Sequence, residues 1–179
     1  QTGYTGQNDI SFSQGDAKNS FFISAQNAYR TTIVPGDKNI RNAFSIRGHR
    51  TYGIFSADYS VGYTKNDVST YVHNNNILGI PGSFVTNAGA NDLYSSILQL
   101  PAFIDIKKYS DSNGELGNAN NFYDAYAINP YWILQHTRDK YTRDVLLSQL
   151  KLKLEPTNWV AISYQLSNDF GVYNDRLTK

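Results

Sequence analysis

The chain contains no cysteine and no methionine. Without cysteine there is no disulfide framework, no thiolate metal site and no cysteine nucleophile. A sequence of 179 residues that lacks methionine and opens QTGYTG, with no signal-like apolar segment, reads as a processed product or an internal piece of a longer protein. Long apolar runs are missing too. Mean hydropathy is −0.47, and no window approaches the roughly twenty apolar residues of a membrane helix, which excludes a helical membrane protein. Charge is scarce at 17%, the formal net charge is +1, and no block of Lys or Arg is present; nucleic acid is therefore set aside as a partner. Tryptophan is limited to two residues, against 14 tyrosines.

What the chain has is alternation. In IFSADYSVGYT, Phe55, Ala57, Tyr59, Val61 and Tyr63 stand on one side, with Ser56, Asp58, Ser60, Gly62 and Thr64 on the other. A period of two marks a strand with unlike faces. This one runs to the length that a tilted strand needs to cross a bilayer, about 9–11 residues. Five further segments alternate in the same way: NDISFS, NSFFISAQNAY, IRNAFSIR, VLLSQLKLKL and WVAISYQLSNDF. They predict an all-β chain of about six antiparallel strands.

The connections alternate as well. QGDAK, GHRTY and EPTN are compact turns, whereas RTTIVPGDKN and a segment of about residues 66–138 are longer. Short and long connections in alternation predict a transmembrane β-barrel with short periplasmic turns and extended extracellular loops. Six strands fall short of the roughly eight of the smallest closed membrane barrels, so the expected fold is part of a larger barrel completed by strands outside this sequence.

Within the long loop, Asn91 is a plausible N-cap for a helix over DLYSSILQL, with Leu93, Ile97, Leu98 and Leu100 on its packed side. Asp111, Asn113 and Glu115 around Gly114 lack the spacing and distal Glu of a calcium loop, so a plain turn is expected there and no metal is assigned. Phe122, Tyr123, Tyr126, Tyr131 and Trp132 form either a stacking surface for a ligand or loop packing. These five are the candidate substrate-binding residues. His49, His73 and His136 fall apart from one another without ligand spacing or an orienting carboxylate. No nucleophile elbow, phosphate-cradling loop or zinc-protease motif occurs, so no catalytic residue and no cofactor are expected. Arg41 and Arg47 share the polar face of the third strand and are expected to meet Asp58 as cross-strand ion pairs.

The run QTGYTGQNDISFSQGDAKNSFFISAQNAYRTTIVPGDKNIRNAFSIR resembles the start of the barrel in SusC/RagA-like TonB-dependent outer-membrane transporters, through Gln1 to Thr5, Gln14 and Gly15, Phe21 and Phe22, Val34 and Pro35, and Arg41. NPYW at Asn129 to Trp132 and the later EPTNWVAIS are similar to further phrases of that family. It departs from the family where Gln14 replaces a turn glycine and where TIVP replaces a Gly-Ile phrase. The resemblance implies a barrel of about 22 strands in the outer membrane of a Gram-negative bacterium, with a plug domain and further strands that this chain lacks. It also implies active import of glycan or peptide fragments, with TonB and a SusD-like surface lipoprotein as partners and the lipid bilayer as surroundings. Two other readings stand beside it: a soluble β-sandwich module that binds carbohydrate through the Tyr/Trp loop, and a passive porin or adhesin barrel.

Overall fold

Alternation becomes six long strands because each segment repeats apolar residues with a period of two, mainly β-branched and aromatic in β1 to β4 and β6 and leucine in β5, with turn residues at the short hairpin ends. A computed structural model describes residues 2–71, 93–98, 100–111, 114–117, 122–123, 128–136 and 138–178. Its strands are β1 (Thr5–Gly15), β2 (Asn19–Thr31), β3 (Lys38–Tyr52), β4 (Phe55–Tyr71), β5 (Arg138–Thr157) and β6 (Val160–Thr178). They form one antiparallel sheet in sequential order. Helix α1 (Leu93–Leu98), a 3-10 turn (Ile106–Tyr109) and helix α2 (Pro130–His136) lie in the β4–β5 connection.

The short turns gather at one end of the sheet. Asp16 closes the β1–β2 turn by accepting the backbone N–H groups of Lys18 and Asn19, each at 2.7 Å. Those two bonds, Lys18 first, hold its carboxyl below the usual range. Between β3 and β4 only Gly53 and Ile54 are left unpaired, and Gly53 takes φ 57°, the left-handed backbone that a two-residue hairpin demands. The strand ends therefore lie beyond those expected from the pattern: GHRTY continues β3, and β4 runs on to Tyr71. The long connection spans 72–137.

The register carries each residue's side across all six strands. One row reads Ile10, Ala25, Phe44, Tyr63, Leu146 and Phe170; another, on the same face, reads Phe55, Leu154 and Ile162. The opposite face is polar, with Ser24 and Ser45 sharing a 2.7 Å hydrogen bond and Asp9 accepting from Gln7 and Gln26. Ile10, Phe44, Tyr59, Leu150 and Tyr164 are exposed. The sheet is thus one layer, and its apolar face needs cover from outside the described residues.

The expected transmembrane barrel segment is corrected here. The sheet is open: β1 and β6 are its edges, each hydrogen-bonded on one side only. Strand length and one-sided hydropathy are properties of any long two-faced sheet, and neither encodes closure. No helix among the described residues is long and apolar enough to cross a membrane.

Candidate functional site

The buried core sits beyond the sheet, at the end where the long connections emerge. Val34 from the β2–β3 loop, Tyr71 at the end of β4, Leu93 from α1, and Ile128 and Ile133 around α2 form one cluster, with Trp132 and Leu134 packed against it. Ile133 is fully enclosed. The expected helix α1 forms, yet it turns Leu93 and Ser96 inward and leaves Ile97 and Leu98 exposed, Leu98 at 83%. With just six residues it presents little more than one turn, so the i, i+3 pair decides its buried side. Asn91 lies outside the described residues, as do His73, Asn113 and Tyr126.

Asp37 ties this region to the sheet. Its carboxylate accepts from Arg138 Nη1 at 2.7 Å, from the backbone N–H of Tyr71 at 3.0 Å and from Thr70 Oγ1 at 3.2 Å. Arg138 also donates through Nη2 to the Pro35 carbonyl oxygen. One carboxylate therefore holds the last residues of β4 and the first of β5, the two points from which the long connection departs. Gly36, between Pro35 and Asp37, has φ 82°, and a Cβ there would run into the Arg138 guanidinium.

The aromatic candidates occupy different settings. Phe122 is 7% exposed, its ring in edge contact with Tyr109 at 4.9 Å and Tyr123 at 4.8 Å. Tyr123, Tyr131 and Trp132 are half-buried. Trp132 stacks on His136 with centroids 4.8 Å apart and planes 12° from parallel, and His136 Nδ1 lies 3.1 Å from the Trp132 carbonyl oxygen. Helix α2, which carries Tyr131, Trp132 and His136, is anchored by Ile133 and by Asn129.

His49 has the carboxylate partner that the sequence reading did not find. Its Nδ1 is 2.6 Å from Asp58 Oδ1, and its Nε2 is 2.9 Å from Thr51 Oγ1. The alignment of carboxylate, imidazole and hydroxyl lies on an exposed sheet face, and the Thr51 backbone N–H is spent on the Lys18 carbonyl at 2.7 Å. That bond joins the two adjacent hairpins, which makes the trio a brace for the turn end of the sheet. Asp58 meets His49 in place of the expected Arg41 or Arg47.

A second missed cluster lies where β5 and β6 reach the loop end. Tyr141 and Tyr173 are 5.5 Å apart, and Tyr141 pairs with Asp175 across the strands. Asp139 Oδ1 is enclosed with no hydrogen-bond partner among the described residues. Burial first, then hydrogen bonding to Asp175 and its charge, push the Asp139 carboxyl above its ordinary value of 3.8. The folded chain thus holds this proton more tightly than the unfolded chain does. The resulting stabilisation is complete below 3.8 and is lost as pH rises through the raised folded value. Asp139→Asn, which keeps the shape without the charge, is expected to raise the thermal midpoint at pH 7, and the gain should shrink as the medium is acidified below pH 4. Thermal melts of both proteins across that range check it; a lower midpoint at pH 7 would contradict the repulsion.

No family model matches the chain. No curated protein matches it either. The resemblance to SusC/RagA-like transporters is accordingly withdrawn: its phrases are short, and turn residues beside aromatic strands recur in unrelated two-faced sheets. The importer role, the TonB and SusD-like partners, the bilayer and the outer-membrane location rested on that resemblance and on the barrel, and they are withdrawn with it.

Proposed function

We propose that the chain is a non-catalytic carbohydrate-binding module of β-sandwich type, in which the six-stranded sheet supplies one layer. The sugar is taken at the loop end by Tyr123, Tyr131 and Trp132. The observation that carries this reading is the pre-set aromatic surface on α2: Trp132 is fixed by its 4.8 Å stack on His136 and remains half-exposed. An aromatic ring already held in place loses little freedom when a ligand covers it, and it offers a large contact area. Sugar rings present C–H faces suited to such surfaces. Phe122 supports the site from below through its contact with Tyr123, and the two-faced sheet supports the sandwich, because a layer with one apolar face packs against a second layer.

The test uses the indole as its own reporter. The chain's other tryptophan, Trp159, is 85% exposed in the β5–β6 turn, so Trp159→Phe isolates the signal of Trp132. Titration with maltohexaose and cellohexaose is expected to shift Trp132 fluorescence saturably for at least one of them. Calorimetry on Trp132→Ala is expected to show affinity weakened by about tenfold or more, as for loss of a central aromatic anchor. Absence of saturable binding to either sugar, or unchanged affinity in Trp132→Ala, would remove the reading.

A further inference from the structure

At the turn end of the sheet, far along the strands from the aromatic loop, the polar face carries a hollow of about 840 Å³. Its lining includes Ser20, Phe22, Arg47, Gln149 and Lys151, together with the His49–Asp58 pair. The register explains the grouping. Phe22 lies directly opposite Arg47, Arg47 opposite Ser60, and Ser60 opposite Gln149, so these four share one row. The next row holds Ser20, His49, Asp58 and Lys151.

Two features of this hollow are unusual for a polar sheet face. Phe22 is an aromatic ring among serines and charged residues, where the alternation otherwise places none on β2. Arg47 and Lys151 are cations with no ion pair among the described residues. The nearby carboxylate, Asp58, stands opposite Lys151 in register but is engaged by His49 at 2.6 Å. Asp169 borders the neighbouring hollow with Arg47 and forms no ion pair with it. The site therefore combines an apolar ring, two free positive charges and hydroxyl and amide groups able to hydrogen-bond on either side.

We infer that this hollow is a second binding site and that it takes an acidic sugar chain, with a sugar ring on Phe22 and carboxylates of successive units on Arg47 and Lys151. Arg47 and Lys151 lie two strands and one row apart, which strand spacing and rise put at about 12 Å between Cα atoms. Two long cationic side chains at that separation converge on neighbouring carboxylates more readily than on a single one. Guanidinium is suited to bidentate contact with a carboxylate, and the flexible ammonium accommodates the other. Exposure leaves the site open to screening, so binding should weaken as salt rises. None of this depends on the loop aromatics, and the site stands or falls apart from them.

The probe is trigalacturonate, titrated calorimetrically at pH 7 in low salt and again in 0.5 M salt. Saturable binding that weakens in high salt is expected. Arg47→Gln and Lys151→Gln are each expected to reduce affinity about tenfold, the scale of one lost charge-assisted hydrogen-bonding contact, and Phe22→Ser is expected to reduce it as well. Trp132→Ala should leave it unchanged. Circular dichroism verifies that each variant keeps its sheet. Carboxyl-reduced trigalacturonate, the same sugar with alcohols in place of carboxylates, tests the charge without any variant and is expected to bind at least tenfold more weakly. Equal binding of the reduced sugar, or no binding of the acidic one, overturns the site. Triglutamate binding as tightly as the sugar, with no effect of Phe22→Ser, overturns the sugar assignment. Loss of trigalacturonate binding in Trp132→Ala places the acid at the loop and overturns this location.

Discussion

Asp37→Ala is expected to lower the stability of the chain by about 3 kcal/mol, the lower end of what removing one member of a buried ion pair costs. For a chain of this size the thermal midpoint should fall by roughly 6–12 °C. The lower end is appropriate because Arg138 keeps 17% of its side chain exposed while Asp37 keeps 8%, so water relieves part of the uncompensated charge. Substitution removes three acceptor contacts at once: the guanidinium, the Thr70 hydroxyl and the Tyr71 backbone N–H. Arg138 would retain its bond to the Pro35 carbonyl, which is why the β2–β3 loop should stay docked in part. Arg138→Met in the Asp37→Ala background is expected to recover some of the loss, since it removes the stranded charge and keeps an extended apolar side chain. Chemical denaturation of the two single variants and the double variant gives the coupling energy. A coupling near zero would mean that the carboxylate and guanidinium contribute independently and that the clamp is no unit.

The same region shows where the sequence was readable and where it was not. A period of two exposes the centre of each strand: Phe55, Tyr59 and Val61 could be placed on one side before any pairing was known. Ends are harder. RDKYTRD at the start of β5 lies outside the alternating VLLSQLKLKL, and KNDVSTY at the end of β4 falls almost wholly within the 66–138 connection read from the pattern, yet the two segments pair residue by residue from Lys65 with Asp144 to Tyr71 with Arg138. Backbone hydrogen bonding extends a strand past the point where its side chains advertise it.

Register errors then conceal chemistry. The β3–β4 pairing is symmetric about Gly53 and Ile54, which brings His49 opposite Asp58. Placing the turn over Gly48 to Tyr52 makes His49 a turn residue and leaves it without its carboxylate. The barrel expectation failed for a related reason, because hydropathy records that one face is apolar and says nothing of what lies against it. The loop aromatics were legible as a group. Their division into a core ring, Phe122, and half-exposed rings, Tyr131 and Trp132, depends on contacts with Tyr109 and His136 that no local pattern encodes. Asn129 was read only as the first residue of the NPYW phrase and its anchoring role was missed, since two of its partners lie 12 and 20 residues away.

Asn129→Ala is expected to be the most damaging single change in the loop region, at about 3–7 kcal/mol. The side chain is fully enclosed. Its Nδ2 donates to the Tyr109 carbonyl at 2.8 Å and to the Gly117 carbonyl at 2.6 Å, while its Oδ1 accepts the Tyr131 backbone N–H at 3.0 Å. The last bond caps α2, with Pro130 at the first helical position, where its missing N–H costs nothing. Alanine would remove a cap worth about 1 kcal/mol and strand two carbonyl groups at about 1–3 kcal/mol each. The loss should be local. Hydrogen exchange is expected to accelerate in α2 and at Tyr71 while the ladder from β1 to β3, to which none of the Asn129 side-chain hydrogen bonds runs, keeps its protection. Uniform acceleration across the sheet would instead make the loop core and the ladder one cooperative unit. Asn129→Asp sharpens the test, because aspartate keeps the capping oxygen and replaces the donor by a second acceptor aimed at two carbonyl oxygens. It should be at least as destabilising as alanine at pH 7 and should improve on acidification, when a protonated carboxyl can again donate to one of them. A neutral-pH aspartate variant as stable as the parent would show that the donor bonds to Tyr109 and Gly117 contribute little, and that the cap alone holds α2 in place.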